Sequence, residues 1–330
     1  MTNPPAYPEY PGNEPEDITN PYAAFPPDTH EADQPGYYMA PEDAPTHTDG
    51  KLRPLEAIAF GIKRPADNYL PWFGYVLIML AVSVLLNVVA SMPGTAATDP
   101  AAAATSPVSM GFSVINGLVS LVLSIAGIVA GIRCVDRRKV PFSQFFSGIS
   151  WLPMIGMIIL QGLISLVVIA IVIVVSPGAR DFAAAVADNA DALSTGATAD
   201  PADPAAAQEM TDLMMSLPWG SLAITVILVL IVSLVLSPLI SYWAYFLGDT
   251  AHGSGSFGKA IADGFRAGAR NIGQIIILNI IVGVFVTVGI LITFGLGMFY
   301  LLPVAYLVQA HAYRQIAGGP VPLSSLPPQI

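Results

Sequence analysis

The 330 residues are 54% hydrophobic and only 11% charged, far from soluble globular usage, which points to an all-α polytopic membrane protein. The formal net charge of -10 does not describe a uniformly acidic surface, since ten of the 23 acidic residues fall in the first fifty positions and seven more between Asp181 and Asp212. The single cysteine, Cys134, excludes an internal disulfide framework and cannot alone build a zinc or iron–sulfur site.

Residues 1–50 hold eleven prolines, ten carboxylates and no Lys or Arg, without an apolar period of either kind. Such a segment is expected to be a disordered Pro/acidic tail, read either as a solvated leader or as a docking tail, with Thr46 and Thr48 as phosphate acceptors in the second case. It has no basic n-region and no apolar h-region, so insertion is expected to start at the first internal hydrophobic run. The membrane domain is expected over residues 51–319, with 320–330 as a short second tail.

Lys51, Arg53, Lys63 and Arg64 flank a first short two-faced helix, which Pro54 starts and Pro65 ends. The first span is expected over 69–91, with Tyr69, Trp72 and Tyr75 where aromatic rings prefer the interface. A Pro/Ala/Thr connection leads to a second span, 110–132, followed at once by Arg133, Arg137, Arg138 and Lys139. Residues 140–150 place Phe142, Phe145, Phe146 and Ile149 at helical spacing, which predicts another interfacial helix. The third span, 151–175, opens with Leu152-Pro153-Met154-Ile155-Gly156, matching Leu70-Pro71-Trp72-Phe73-Gly74.

Residues 176–217 form an Ala/Asp/Pro insertion with two candidate helices, one carrying Phe182, Val186 and Leu193 on a face, the other Met210, Leu213, Met214 and Leu217. Packing on each other and lying on the outer leaflet both remain open for them. The fourth span, 218–246, is expected to kink near Pro238. After a Gly/Ser-rich turn, Lys259 to Asn271 sets Ile261, Phe265, Gly268 and Ile272 on one helix face and Lys259, Asp263, Arg266 and Arg270 on the other. The forty residues from Gly273 to Ala312 carry no charge, enough for spans 273–293 and 298–314 separated at Phe294-Gly295-Leu296-Gly297. Ala57 to Asn68 and Ala260 to Asn271 repeat one pattern at a constant offset. The chain therefore reads as six spans in three hairpin repeats, each preceded by a cytoplasmic amphipathic helix.

Twelve of the 13 basic residues then lie on one side, with Arg180 alone opposite, and the positive-inside rule makes that side cytoplasmic. A multi-pass protein of the bacterial plasma membrane with both termini cytoplasmic is expected. Lys63, Arg64, Ile261, Phe265, Arg266 and Arg270 are the candidates for lipid and interface contact.

No expected span contains Asp, Glu, Lys or Arg away from its ends, and His311 is read as an interfacial histidine near Arg314. The polar residues within spans are Asn87, Asn116, Gln161, Gln274, Asn279 and Gln309, read as hydrogen bonds between helices or as the polar lining of an amphiphile path. The four histidines have no metal-site spacing, and no Walker A or strand-placed GxGxxG occurs, so neither a cofactor nor nucleic-acid binding is expected.

Ala260-Ile261-Ala262-x-Gly264-Phe265-Arg266, Asn271, the long apolar run and the closing Tyr306 to Gly318 (YLVQAHAYRQIAG) resemble proline- and glycine-rich actinobacterial integral membrane proteins of unknown function. More distantly, residues 53–319 are similar to the six-span membrane domain accompanying some bacterial glycerophosphodiester phosphodiesterases. The soluble domain with its metal-binding carboxylates and histidines has no counterpart here, so that activity is not carried over. Two functions compete. One is a non-catalytic scaffold or accessory factor of a cell-envelope or membrane complex, with lipids as partners and membrane proteins reached through the tail or the insertion. The other is a transporter or lipid-handling protein for a hydrophobic substrate. An intramembrane enzyme ranks behind both, since no acid–base pair or activated nucleophile is apparent.

Overall fold

Backbone amides that cannot reach water must pair internally, and the long apolar runs accordingly form helices. The computed structural model describes residues 45–90, 107–137, 139–190, 208, 211–212, 214–249 and 255–322. Helix α1, Pro54–Lys63, has Pro54 at its first position and continues through a 3-10 turn, Arg64–Asn68, into α2, Tyr69–Ala90. Next come α3, Pro107–Asp136; α4, Trp151–Val175; α5, Pro177–Asp188; α6, Trp219–Ile240; and α7, Trp243–Gly248. Helices α8, Phe257–Arg270, α9, Ile272–Ile292, and α10, Met298–Ala317, follow. Among the described residues, five stretches are long and apolar enough to cross a membrane: Pro54–Leu86, Val114–Asp136, Trp151–Val175, Trp219–Gly248 and Ile272–Ile292.

Helix α10 is not among those five, although it has 20 residues. It is the centre of the bundle, packed against α1, α2, α3 and α9, and every residue from Ala310 to Ala317 is buried. A helix enclosed by protein can carry Gln309, His311, Arg314 and Gln315, because its neighbours and not lipid face those side chains. Gly318, at φ 73°, ends it in the left-handed conformation that favours glycine.

The α9–α10 connection is as tight as the FGLG stretch suggests. Phe294 and Gly295 both have positive φ, and the Thr293 hydroxyl oxygen accepts the Gly297 N–H at 2.7 Å. Near Pro238 the fourth run is interrupted more than kinked: α6 stops at Ile240 and α7 resumes at Trp243.

Three expectations are corrected. Helix α1 does not lie apart from the bundle as an interfacial helix; it runs antiparallel along α10. The Arg53 N–H donates to Gln315 Oε1 at 2.8 Å, the Phe60 ring stacks on His311 at 4.5 Å, and the Tyr300 hydroxyl donates to the Ile62 carbonyl. The small residues Ala57 and Gly61 permit that approach, since a methyl added at Gly61 would strike Val308. Residues 140–150 do not form an amphipathic helix either. They make one 3-10 turn, Phe142–Phe145, after the extended Pro141, and Gly148 at φ 59° turns the chain. Phe145 enters the core edge-on to Trp72, with ring centres 5.0 Å apart.

The end of the expected tail is also ordered. Pro45–His47 (β1) pairs antiparallel with Pro320–Pro322 (β2), Thr46 opposite Val321. The Thr48 hydroxyl caps the end of α10, 3.0 Å from the Gln315 carbonyl and 3.2 Å from that of Arg314. Asn271, 3% exposed between α8 and α9, accepts the Leu52 N–H at 2.9 Å and donates to the Gly50 carbonyl at 3.1 Å.

In the insertion, α5 folds back on α6. Ser176 and Thr225 share a 2.7 Å hydrogen bond, and the Phe182 and Trp219 rings lie 5.5 Å apart. Outside the described residues lie the tail to residue 44, 91–106 in the first connection, Leu193, Met210 and Leu213 of the insertion helices, positions 250–254, and 323–330, as does the side chain of Asn87.

Candidate functional site

Where α3, α7 and α10 end together, a charged cluster lies inside the bundle. Arg314, fully buried, donates to Asp136 through Nε at 2.9 Å and Nη2 at 2.6 Å, and pairs through Nη1 with Asp249, whose side chain is 1% exposed. The Tyr313 hydroxyl donates to the same Asp249 oxygen at 2.8 Å. Fork-shaped bidentate pairing is the geometry for which arginine is suited, and it answers both carboxylates from one side. No charged cluster was apparent in the sequence, because Asp136, Asp249 and Arg314 each stand at the edge of an apolar run and are far apart along the chain. The available signal was acidic: Asp136 and Asp249 interrupt apolar or basic surroundings with no other carboxylate near.

A cavity of about 270 Å³ adjoins this cluster, lined by Val129, Ile132, Arg133 and Asp136 of α3, by Arg137 just past its end, and by Gln144, Ser147, Gly248 and Asp249. Arg133 is fixed in place, donating to the carbonyls of Gln144 and Ser147, the latter at 2.7 Å. Among the described residues, no three His, Cys, Asp or Glu side chains gather as a metal site.

The interface candidates separate in the structure. Lys63 is exposed, but Arg64 is buried: its Nε donates to the Cys134 carbonyl at 3.2 Å, it pairs with Asp67 at 3.4 Å, and it lies over the Phe60 ring. Arg64 is thus corrected from a lipid contact to a helix-to-helix tie. On α8 the face against the bundle is the small one, Ala260, Gly264, Ala267 and Gly268. Ile261 is half-buried, Phe265 is 49% exposed, and Lys259, Arg266 and Arg270 are exposed.

Of the polar residues in the apolar runs, Asn279 and Gln309 meet. Gln309 Nε2 donates to Asn279 Oδ1 at 2.9 Å, Asn279 donates to Ser237 at 3.1 Å, and the Tyr242 hydroxyl donates to Gln309 Oε1 at 2.9 Å. Gln161 bonds the Ile240 carbonyl where α6 breaks. Asn116 is half-buried and Gln274 exposed. His311 is fully buried, and neither ring nitrogen has a hydrogen-bond partner among the described residues. The chain matches no family model, no curated protein and no solved structure.

Proposed function

We propose that the chain is a six-span protein of a bacterial plasma membrane, three hairpins with both termini cytoplasmic, that acts without catalysis as a scaffold or accessory factor of a cell-envelope or membrane complex. The hairpin reading draws support from burial at equivalent positions. Trp72, Met154 and Ile275 are 1%, 1% and 0% exposed, and Tyr75, Met157 and Leu278 are all 0%. Ala57 and Ala260, Gly61 and Gly264, and Asn68 and Asn271 are likewise buried in pairs. The two asparagines do the same work, each accepting a backbone N–H through Oδ1, from Val140 at 2.7 Å and from Leu52. Helix α10 counts as the sixth span by its length and by its antiparallel pairing with α9.

The observation that carries the scaffold reading is the filled centre of the bundle. Gly127 and Gly131 bring α3 against α10 so closely that added methyls would stand 2.6 Å from the Tyr306 ring and 3.1 Å from the Ala310 methyl. Transport by alternating access needs one bundle to rock against another. Helices in backbone contact, tied together by a buried ion cluster, form instead a fixed body whose surfaces are available to partners. The exposed Lys259, Arg266 and Arg270 of α8 suit an anionic lipid surface, with Phe265 beside them.

Orientation is testable in a Cys134→Ser background. An impermeant thiol reagent added to intact cells should label Gln208→Cys and leave Lys259→Cys unlabelled; the reverse pattern would sink the topology. The scaffold role is tested by cross-linking in cells and purification of the full chain in mild detergent. A stoichiometric protein partner should appear and be lost when residues 1–44 or 191–207 are deleted. A chain that purifies alone, and moves lipid when reconstituted, would establish the transport alternative.

A further inference from the structure

We infer that the acidic segment Asp28–Asp33 of the chain's own N-terminal tail docks on the exposed face of α8, its three carboxylates against Lys259, Arg266 and Arg270. Three observations converge on this occupant. The first is an open basic stripe. On a helix turning about 100° per residue, Lys259, Arg266 and Arg270 fall within about 40° of one another, and all three are exposed. Arg266 pairs with Asp263 at 3.6 Å but keeps its own side chain 64% exposed, and among the described residues no ion pair engages Lys259 or Arg270. The stripe is left with a net positive charge.

The second is the tail. Residues 1–44 carry nine carboxylates and neither Lys nor Arg. At 1.5 Å per residue along the α8 axis, Lys259 and Arg266 stand about 10 Å apart, and Arg266 and Arg270 about 6 Å. In an extended backbone rising about 3.1 Å per residue, Asp28, Glu31 and Asp33 are spaced by about 9 and 6 Å, the same intervals in the same order. No other three carboxylates of the tail have that spacing. The third is the route of the chain. Gly50 and Leu52 bond Asn271, the residue after Arg270, and Pro45 lies at most about 18 Å from Gly50. With Asp28 at Lys259 and Asp33 at Arg270, residues 34–44 need only bridge that gap. A linker of this length has an r.m.s. reach of about 20 Å, near the match at which a tether raises effective concentration most. Anionic lipid suits the same stripe but offers neither the register nor the tether. The inference is independent of the scaffold reading, since it needs neither a partner nor a membrane orientation.

The test is pulsed electron spin resonance on the full chain in mild detergent, labelled at Ala32→Cys and Ala262→Cys in a Cys134→Ser background. A narrow short-distance population should appear at low ionic strength and shrink in high salt. Neutralising Asp28, Glu31 and Asp33 together should lower the docked-to-free ratio about tenfold, as expected for three exposed ion pairs, while neutralising Glu14, Glu16 and Asp17 should leave it unchanged. Lys259→Glu with Arg270→Glu should abolish docking, and adding Asp28→Lys with Asp33→Lys should restore it, at an unchanged unfolding midpoint because both helix positions are exposed. A broad distribution in the unsubstituted tail, equal effects of the two triple neutralisations, or no rescue by the charge swap would overturn the site. Dilution with unlabelled chain should leave the population intact; its loss would mean exchange between two copies and overturn a contact within one chain. In nanodiscs containing phosphatidylglycerol, loss of the population together with burial of the label at 262 in lipid would give the stripe to the membrane and overturn the tail as its occupant.

Discussion

Arg314→Met should destabilise the fold by about 3–5 kcal/mol, seen as a much lower unfolding midpoint of the purified chain in detergent. The magnitude follows from what the substitution leaves behind. Asp249, 1% exposed in its side chain, would keep its charge in the interior without the arginine that pairs with it, while Asp136, 25% exposed, would still reach water. The penalty therefore falls on Asp249. Adding Asp249→Asn to Arg314→Met should restore a large part of the loss, whereas adding Asp136→Asn should restore little. Wild-type stability in Arg314→Met would mean that Arg314 does not bridge α3 and α7 from within the bundle.

This cluster marks where reading the sequence stops. Long apolar runs are legible because a backbone in hydrocarbon has few alternatives, so α4 falls on 151–175 as expected and the FGLG turn parts α9 from α10. The periodicity of α8 was also legible, but its inward side only in part. Of the expected face Ile261, Phe265, Gly268 and Ile272, Gly268 is buried and Ile261 packs on the core, whereas Phe265 is half exposed and the bundle receives Ala260, Gly264 and Ala267. Between helices in a membrane, close approach through small residues replaces the burial of large ones. The central place of α10 was hidden too, since its polar residues weaken its membrane signal while α1, α2, α3 and α9 pack around it. Pairing across the chain was illegible for a different reason. Nothing local in Pro45–His47 announces Pro320–Pro322, and nothing local in Asp136 announces Arg314.

Gly268→Ala should cost about 1–3 kcal/mol, more than removal of the large neighbouring side chain in Phe265→Ala. Helix propensity alone gives the opposite sign, since Ala is better than Gly inside a helix by roughly 1 kcal/mol. Space decides the outcome. A methyl at Gly268 would fall well inside contact with the Pro238 carbonyl oxygen, and backbone where α6 ends cannot swing aside as a flexible side chain would. Phe265 is half exposed, so its truncation surrenders only part of the roughly 1.5–3 kcal/mol available to a fully buried ring. Gly258, on the same helix with nothing within 4 Å of an added methyl, isolates the propensity term, and Gly258→Ala should be neutral or slightly stabilising. Unfolding of the three variants in one detergent gives the order directly. If Phe265→Ala proves the most damaging, α8 is held by its large apolar side chains and the small-residue contact with α6 is incidental; if Gly268→Ala does, the helix is positioned by backbone approach at Pro238.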